Sequence, residues 1–242
     1  MQEVVNEILK TPGLKEMTDF QKEVFVHDFI INNVEYDQTH GDGGRRLEPY
    51  TVYGVFVERK AVCEGIAKAV KLLLELLDVK CIIVDGKVHG QGHSWNIVKI
   101  DGFSYHLDVT FDMGMSANKG KIHYDFFNVR DEDIKDRELY YKEMMPKCFA
   151  IEYNYVIKAG GYVSNRERLY KYMESCLAKR KSCMYVKINR SVNEEFKNIS
   201  RLNAARIIER TFNRVVNTLR IGARAYIIYS NEMQIWTLEI TY

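Results

Sequence analysis

Ile66, Val70, Leu73, Leu74 and Leu77 recur at three- and four-residue spacing, which predicts an amphipathic helix with Cys63 in or just before its first turn. Upstream, Thr18 and Gln21 form a capping box ahead of Phe20, Val24, Phe25 and Ile31, so a second helix starts near Thr18. After the Cys63 helix the pattern changes. "KCIIVDGKVHG" reads as a strand entering a turn at Asp85–Gly86, and "HSWNIVKI" and "FSYHLDVT" as two strands joined by a two-residue turn at Asp101–Gly102. Helices followed by antiparallel strands make an α+β order. Further on, the pattern predicts a strand over Tyr153–Ala159, a helix over Arg166–Lys179, a strand over Met184–Ile188 and a helix over Arg201–Leu219. A hairpin, "RAYIIYSNEMQIWTLEI", closes a small β-α-β-α-β-β unit.

Charge divides the chain at about the same place. Residues 1–150 hold 19 Lys/Arg against 25 Asp/Glu, a net of −6, and residues 151–242 hold 16 against 8, a net of +8. Two domains, 1–150 and 151–242, are therefore expected, with opposite charges that would help them dock. No apolar run reaches the length of a membrane span. "MQEVVNEILK" has no basic segment followed by an apolar one, so it does not read as a signal peptide. The five cysteines, at 63, 81, 148, 176 and 183, cannot all pair and show no disulfide framework, so reduced thiols in a cytoplasm are expected. A leader already removed would leave the same picture. The stretch "QTHGDGGRRLEP" is a polar, glycine-rich loop that lacks the strand and the Gly-Lys-Ser/Thr ending of a phosphate cradle.

Candidate chemistry gathers around Cys63. At a helix start, unpaired N–H groups and the macrodipole favour an anion and hence the thiolate. The plain alternative is a small buried residue, and the choice between them needs a base. With a two-residue turn at Asp101–Gly102, opposed residues have numbers summing to 203, so His93 faces Thr110 and Trp95 faces Asp108. His93, Trp95, Asp108 and Thr110 then share one face, with His93 and Asp108 as diagonal neighbours within side-chain reach. Val98, Ile100, Phe103, Leu107 and Val109 form the opposite, core face. Cys63 would attack a carbonyl, His93 would carry the proton, and Asp108 would orient the imidazole without supporting the core. The Cys63 backbone N–H is the natural oxyanion donor.

The stretches "TVYGVFVERKAVCEGIAKAVKLLLELLDVK" and "GHSWNIVKIDGFSYHLDVTFD" resemble the transglutaminase-like superfamily, in its bacterial cysteine-protease-like branch. The shared pieces are Tyr-Gly before a short spacer, Val-Cys-Glu-Gly at a helix start, Gly-His-x-Trp-Asn, and Asp-Val-Thr-Phe-Asp. The resemblance spans roughly residues 16–137, with Phe111 where many members carry Trp. It implies a papain-like α+β core and a Cys63, His93, Asp108 triad working without calcium, and no cofactor. The implied reaction is acyl transfer through a Cys thioester on peptide or glutamine-type amides, with hydrolysis favoured over transfer to an amine. A non-catalytic module that keeps the core and binds peptides or a partner is the alternative. Residues 151–242 carry no motif of this family and stand as a small α/β accessory domain.

Other constellations carry less. His89, His93 and Cys81 could suggest zinc, but the glycines of "HGQGH" disfavour a helix presenting both histidines on one face. His106 shares the parity of Asp108 and reads as a solvated strand residue bordering the cleft. Arg206, Arg210 and Arg214 form a stripe opposite Ile208, Phe212, Val215 and Leu219, which suits a solvated face or an anionic partner. Tyr226, Tyr229 and Trp236 read as core and edge packing. Cys148, Cys176 and Cys183 lack a partner histidine nearby in sequence and read as inert.

Overall fold

The computed structural model describes residues 1–39, 46–116, 121–192 and 194–242, which pack as two units, Met1–Tyr153 and Asn154–Tyr242. Of the glycine-rich loop expected after Gln38, residues 40–45 lie outside those described. No helix among the described residues is long and apolar enough to cross a membrane.

The first unit runs α1 (Gln2–Leu9), α2 (Asp19–Asn33), β1 (Glu35–Tyr36), β2 (Lys60–Ala61), α3 (Cys63–Leu76), β3 (Cys81–Val88), β4 (Gln91–Ile100), β5 (Phe103–Leu107), α4 (Val109–Met115), β6 (Phe127–Val129) and β7 (Glu138–Leu139). Helix α2 starts where the capping box predicts, with the Thr18 and Gln21 side chains each bonding the other's backbone N–H. Its buried face differs from the expected one. Glu23, Val26, His27 and Ile30 are buried, while Phe20, Val24, Phe25 and Ile31 are half-buried. Two ionisable groups lie on the covered stripe because partners from other elements meet them there.

Helix α3 buries Ile66, Val70, Leu73 and Leu74 against the sheet and α2. Its first turn is fixed by close backbone packing. A Cβ on Gly65 would come within 2.3 Å of the Pro49 carbonyl oxygen, so the Glu-Gly pair after Cys63 admits the preceding loop against the helix. The N-cap residue, Val62, has no side chain able to cap, which leaves the first-turn N–H groups for other partners.

Strands form one antiparallel sheet in the order β6-β5-β4-β3-β7. The β4–β5 turn has Asp101 at φ 47° and Gly102 at φ 86°, the two positive values of a type I′ turn. Ile100 opposes Phe103 and Asn96 opposes Leu107, the expected register. Three expectations fail nearby. Strand β3 runs straight through Asp85–Gly86, and the chain reverses at His89–Gly90. Gly86 is instead a close approach, where a Cβ would meet the Glu138 carbonyl oxygen of β7 at 2.2 Å. Phe103 is exposed and packs edge-on against Phe149. The second strand of the hairpin ends at Leu107, so Val109 and Thr110 are helical and Thr110 does not oppose His93.

The second unit holds α5 (Tyr155–Lys158), β8 (Tyr162–Val163), α6 (Arg166–Ala178), β9 (Cys183–Ile188), α7 (Glu194–Lys197), α8 (Arg201–Leu219), β10 (Arg224–Ser230) and β11 (Ile235–Thr241). Its sheet order is β10-β11-β9-β8, with β8 parallel to β9. The strand expected over Tyr153–Ala159 is a helix, because Asn154 accepts the Ile157 N–H and caps a turn. Leu169, Met173, Met184, Val186, Ile208, Phe212 and Trp236 form the core. Arg206, Arg210 and Arg214 lie on the exposed face of α8, and Tyr226 is exposed at the sheet edge.

Candidate active site

Cys63, the first residue of α3, His93 of β4 and Asp108 at the end of β5 come together. His93 Nε2 lies 2.8 Å from Asp108 Oδ2, which leaves the ring's Nδ1 for the hydrogen bond with Cys63. The Cys63 sulfur also receives the backbone N–H groups of Ser94 and Glu64. Burial raises the thiol's pKa, but the His93 hydrogen bond, these two N–H groups and the His93 charge outweigh it, and the net shift is downward. For His93, burial works downward, but the charge and hydrogen bond of Asp108 and the contact with Cys63 push it up to about 9. The two shifts describe one pair, a thiolate beside an imidazolium.

Asp108 reaches this position by leaving the sheet. Its N–H donates to the Phe126 carbonyl at 3.1 Å, and its Oδ1 accepts the Phe111 N–H at 3.0 Å, capping α4. Burial raises its pKa, while His93, Arg137 and that N–H hold it down at about 2. Thus Asp108 caps α4 while its other oxygen meets the His93 ring. Arg137, which sequence reasoning missed, donates from Nη1 to Asp108 Oδ2 at 2.5 Å. Its guanidinium is buried among Trp95, Phe111 and Phe126, 5.3, 4.6 and 4.9 Å from the ring centroids. Nothing in the local pattern "DEDIKDRELY" marks a buried cation.

Tyr36 was missed as well. Parallel pairing of Tyr36 with Ala61 brings its hydroxyl to Cys63, where the oxygen accepts the Cys63 backbone N–H. The expected oxyanion donor therefore has a tyrosine partner in the resting site. Burial first, then the charge of Cys63, push the Tyr36 phenol up to about 12, so it stays protonated.

Behind α4 lies a buried ionic network. His27 Nε2 meets Asp112 Oδ2 at 3.2 Å and its Nδ1 meets Asp28 Oδ1 at 2.9 Å. Glu23 Oε2 accepts from Asn128 Nδ2 at 2.7 Å. Burial lowers the His27 pKa, but the bonds with Asp112 and Asp28 raise it to about 9, while burial lifts Glu23 to about 8. His27 and Glu23 bind more protons folded than unfolded between their unfolded and folded values, whereas the upward shift of His93 is offset by the downward shift of its partner Cys63. Stability should therefore fall as pH rises. The His27 share is complete below about pH 6.5 and lost by about 9. At about 1.4 kcal/mol per pKa unit, His27 accounts for a loss on the order of 3 kcal/mol. Urea midpoints at pH 6, 7.5 and 9 should decrease in that order; a series that rises instead would show His27 neutral in the fold.

His106 is buried, not solvated. Its Nδ1 accepts from Trp95 Nε1 at 3.0 Å and its Nε2 lies 2.8 Å from Asp131 Oδ1. Cys148, expected to lack a histidine, joins this pair, with ligand atoms of all three residues within 4.8 Å. The group does not suit a metal. The indole N–H only donates, which places the His106 proton on Nε2, the nitrogen a metal would need. Burial first, then Asp131, push the Cys148 thiol up to about 12. The considered zinc set fares no better, because His89 is exposed on a turn and Cys81 begins β3.

Two cavities flank the His93 edge. The larger, about 1080 Å³, includes Cys63, Glu64, Lys68, Asp85, Ser94 and Tyr140. The smaller, about 480 Å³, is lined by Val88, Thr110, Phe111 and Met115 among others. Tyr36, Gln38, Gln91, Gly92 and His93 line both.

Residues 9–109 match the family model described as the transglutaminase-like superfamily. Among solved structures, the chain is similar to a crystal structure of a TGase at 16% identity and a TM-score of 0.41, covering 50% of this chain and 33% of that one. A protein named as a cysteine protease, from Cytophaga hutchinsonii, aligns at 23% identity and a TM-score of 0.33, over 38% of this chain and 31% of that one. Menin, in a structure showing its binding site for Mixed Lineage Leukemia protein, aligns at 13% identity and a TM-score of 0.29, over 83% and 36%. The chain thus spans about a third of the length of each. No curated protein matches it in sequence.

Proposed function

We propose that the transglutaminase-like N-terminal unit, matched over residues 9–109, is a thiol hydrolase acting on peptide or glutamine-type amides through a Cys63 thioester. One observation carries the reading: a buried histidine bonded on one side to a helix-start cysteine and on the other to a buried carboxylate. The Cys63 thiolate attacks the amide carbon, and the electron pair of the C=O bond moves to oxygen. Collapse expels the amine or ammonia, which takes its proton from His93. Neutral His93 then removes a proton from water as it attacks the thioester, and the carboxylic acid leaves with Cys63 restored. A substrate oxygen entering beside the Cys63 N–H displaces the Tyr36 oxygen and leaves the hydroxyl next to it as a second donor. Cavities on both sides of the His93 edge favour an extended chain lying across the site, hence an internal residue of a peptide.

The test is incubation with a glutamine-containing peptide library, with and without a primary amine, beside Cys63→Ala. Cleaved or deamidated peptide in both conditions, absent in Cys63→Ala, is expected. Amine adducts formed without hydrolysis would make the protein an amine transferase. Peptides retained unchanged, equally by Cys63→Ala, would make it a binding module.

A further inference from the structure

His93 and Arg137 compete for one oxygen. Both bond Asp108 Oδ2, at 2.8 and 2.5 Å, while Oδ1 is committed to the Phe111 N–H. A carboxylate that only oriented an imidazole would place its full charge against it. Here a guanidinium sits on the same oxygen, sealed by three aromatic rings and 1% exposed, so solvent does not screen it.

The geometry points to Arg137 as the positioning residue of Asp108, one that also sets the pH window over which Cys63 and His93 hold their ion pair. This rests on the proposed roles of Cys63, His93 and Asp108, but not on any particular substrate. Two effects follow from the contact. The Nη1 bond holds Oδ2 in place, so that the imidazole bonded to it cannot turn away from Cys63. The positive charge offsets part of the carboxylate's pull on the imidazolium and favours the thiolate, which moves both ends of the window toward lower pH.

Other charged groups around the pair are accounted for. Facing His93 are Cys63 of α3 and Asp108, with the Tyr36 hydroxyl of β1 reaching it through Cys63. Facing Arg137 are Asp108 and a small cavity, about 160 Å³, whose lining includes His106, Asp131, Lys135, Lys142 and Lys147. Asp131 is held by His106 and the Cys148 N–H. The cation in contact with Asp108 is therefore Arg137, and no lysine of that cavity bonds the carboxylate among the described residues.

The test reads Cys63 alkylation against pH by mass spectrometry in the full chain, which needs no substrate. Arg137→Gln, which keeps a donor and loses the charge, should move both limbs of the profile upward by roughly one pH unit. Arg137→Lys should return most of the shift, which a purely structural role would not require. A profile of Arg137→Gln superimposable on the wild type would overturn the proposal. If Arg137→Gln does not fold, nitrogen-15 NMR of the unaltered protein decides. The Arg137 Nη resonances should move with the same midpoint as the His93 ring, and resonances indifferent to that titration would refute the coupling. Absence of turnover on every peptide would count against the hydrolase reading and leave this result standing.

Discussion

Near neutral pH, a small alkylating reagent should modify Cys63 at least about 30-fold faster than Cys81 or Cys148 in the native protein. Burial, with Glu23 and Asp131 respectively adding to it, pushes both of those thiols up to about 12, whereas Cys63 lies below its ordinary value of 9.0. Three pKa units separate the thiolate populations by about a thousandfold, and the greater intrinsic nucleophilicity of the more basic thiolates returns roughly half of that on a logarithmic scale. Burial of Cys81 and Cys148 in the unit's core widens the gap further. His93→Gln should slow Cys63 itself, because it takes away the largest of the groups that lower the Cys63 value, and leave the rates of Cys81 and Cys148 unchanged. The measurement is a time course of site-resolved mass spectrometry. Equal rates at the three sites would show that Cys63 is an ordinary half-buried thiol.

Asp108→Asn should cost both stability and reactivity, although a purely orienting carboxylate would cost only the second. The asparagine oxygen can still cap α4, since Asn is among the favoured N-caps. It cannot satisfy His93 and Arg137 together, and the Arg137 guanidinium then stays buried without its anion. Breaking one side of a buried pair costs about 3–5 kcal/mol, enough to shift a denaturant midpoint visibly. Loss of the imidazolium's partner should slow any Cys63-dependent turnover by about 10²–10⁴-fold. Asp108→Asn combined with Arg137→Met should recover much of the stability, because the stranded charge is gone, and none of the rate. Unchanged midpoint and unchanged Cys63 reactivity in Asp108→Asn would remove the residue from the site altogether.

What the amino-acid sequence determined by itself was local. Thr18 and Gln21 start α2 through bonds across three residues. The apolar spacing from Ile66 sets α3 with Cys63 at its first position. Asp101 and Gly102 supply the positive φ values that pin the β4–β5 register, and through it the approach of His93 to Asp108. Each depends on neighbours within one turn or one hairpin, so spacing and residue type suffice to read it. The meeting of Cys63, His93 and Asp108 was legible for that reason.

Tertiary structure decided the rest. Asp108 becomes a helix cap because Phe126, eighteen residues later, offers the carbonyl that takes its N–H. Arg137 reaches Asp108 across 29 residues, His27 reaches Asp112 across 85, and Glu23 reaches Asn128 across 105. In each case a polar residue that periodicity assigns to solvent is buried because a distant partner satisfies its charge or hydrogen bond. Hydrophobic pattern records which side chains avoid water, but it holds no record of which polar groups have found one another. Only the fold that brings α2, α4 and the segment before β7 together supplies those partners.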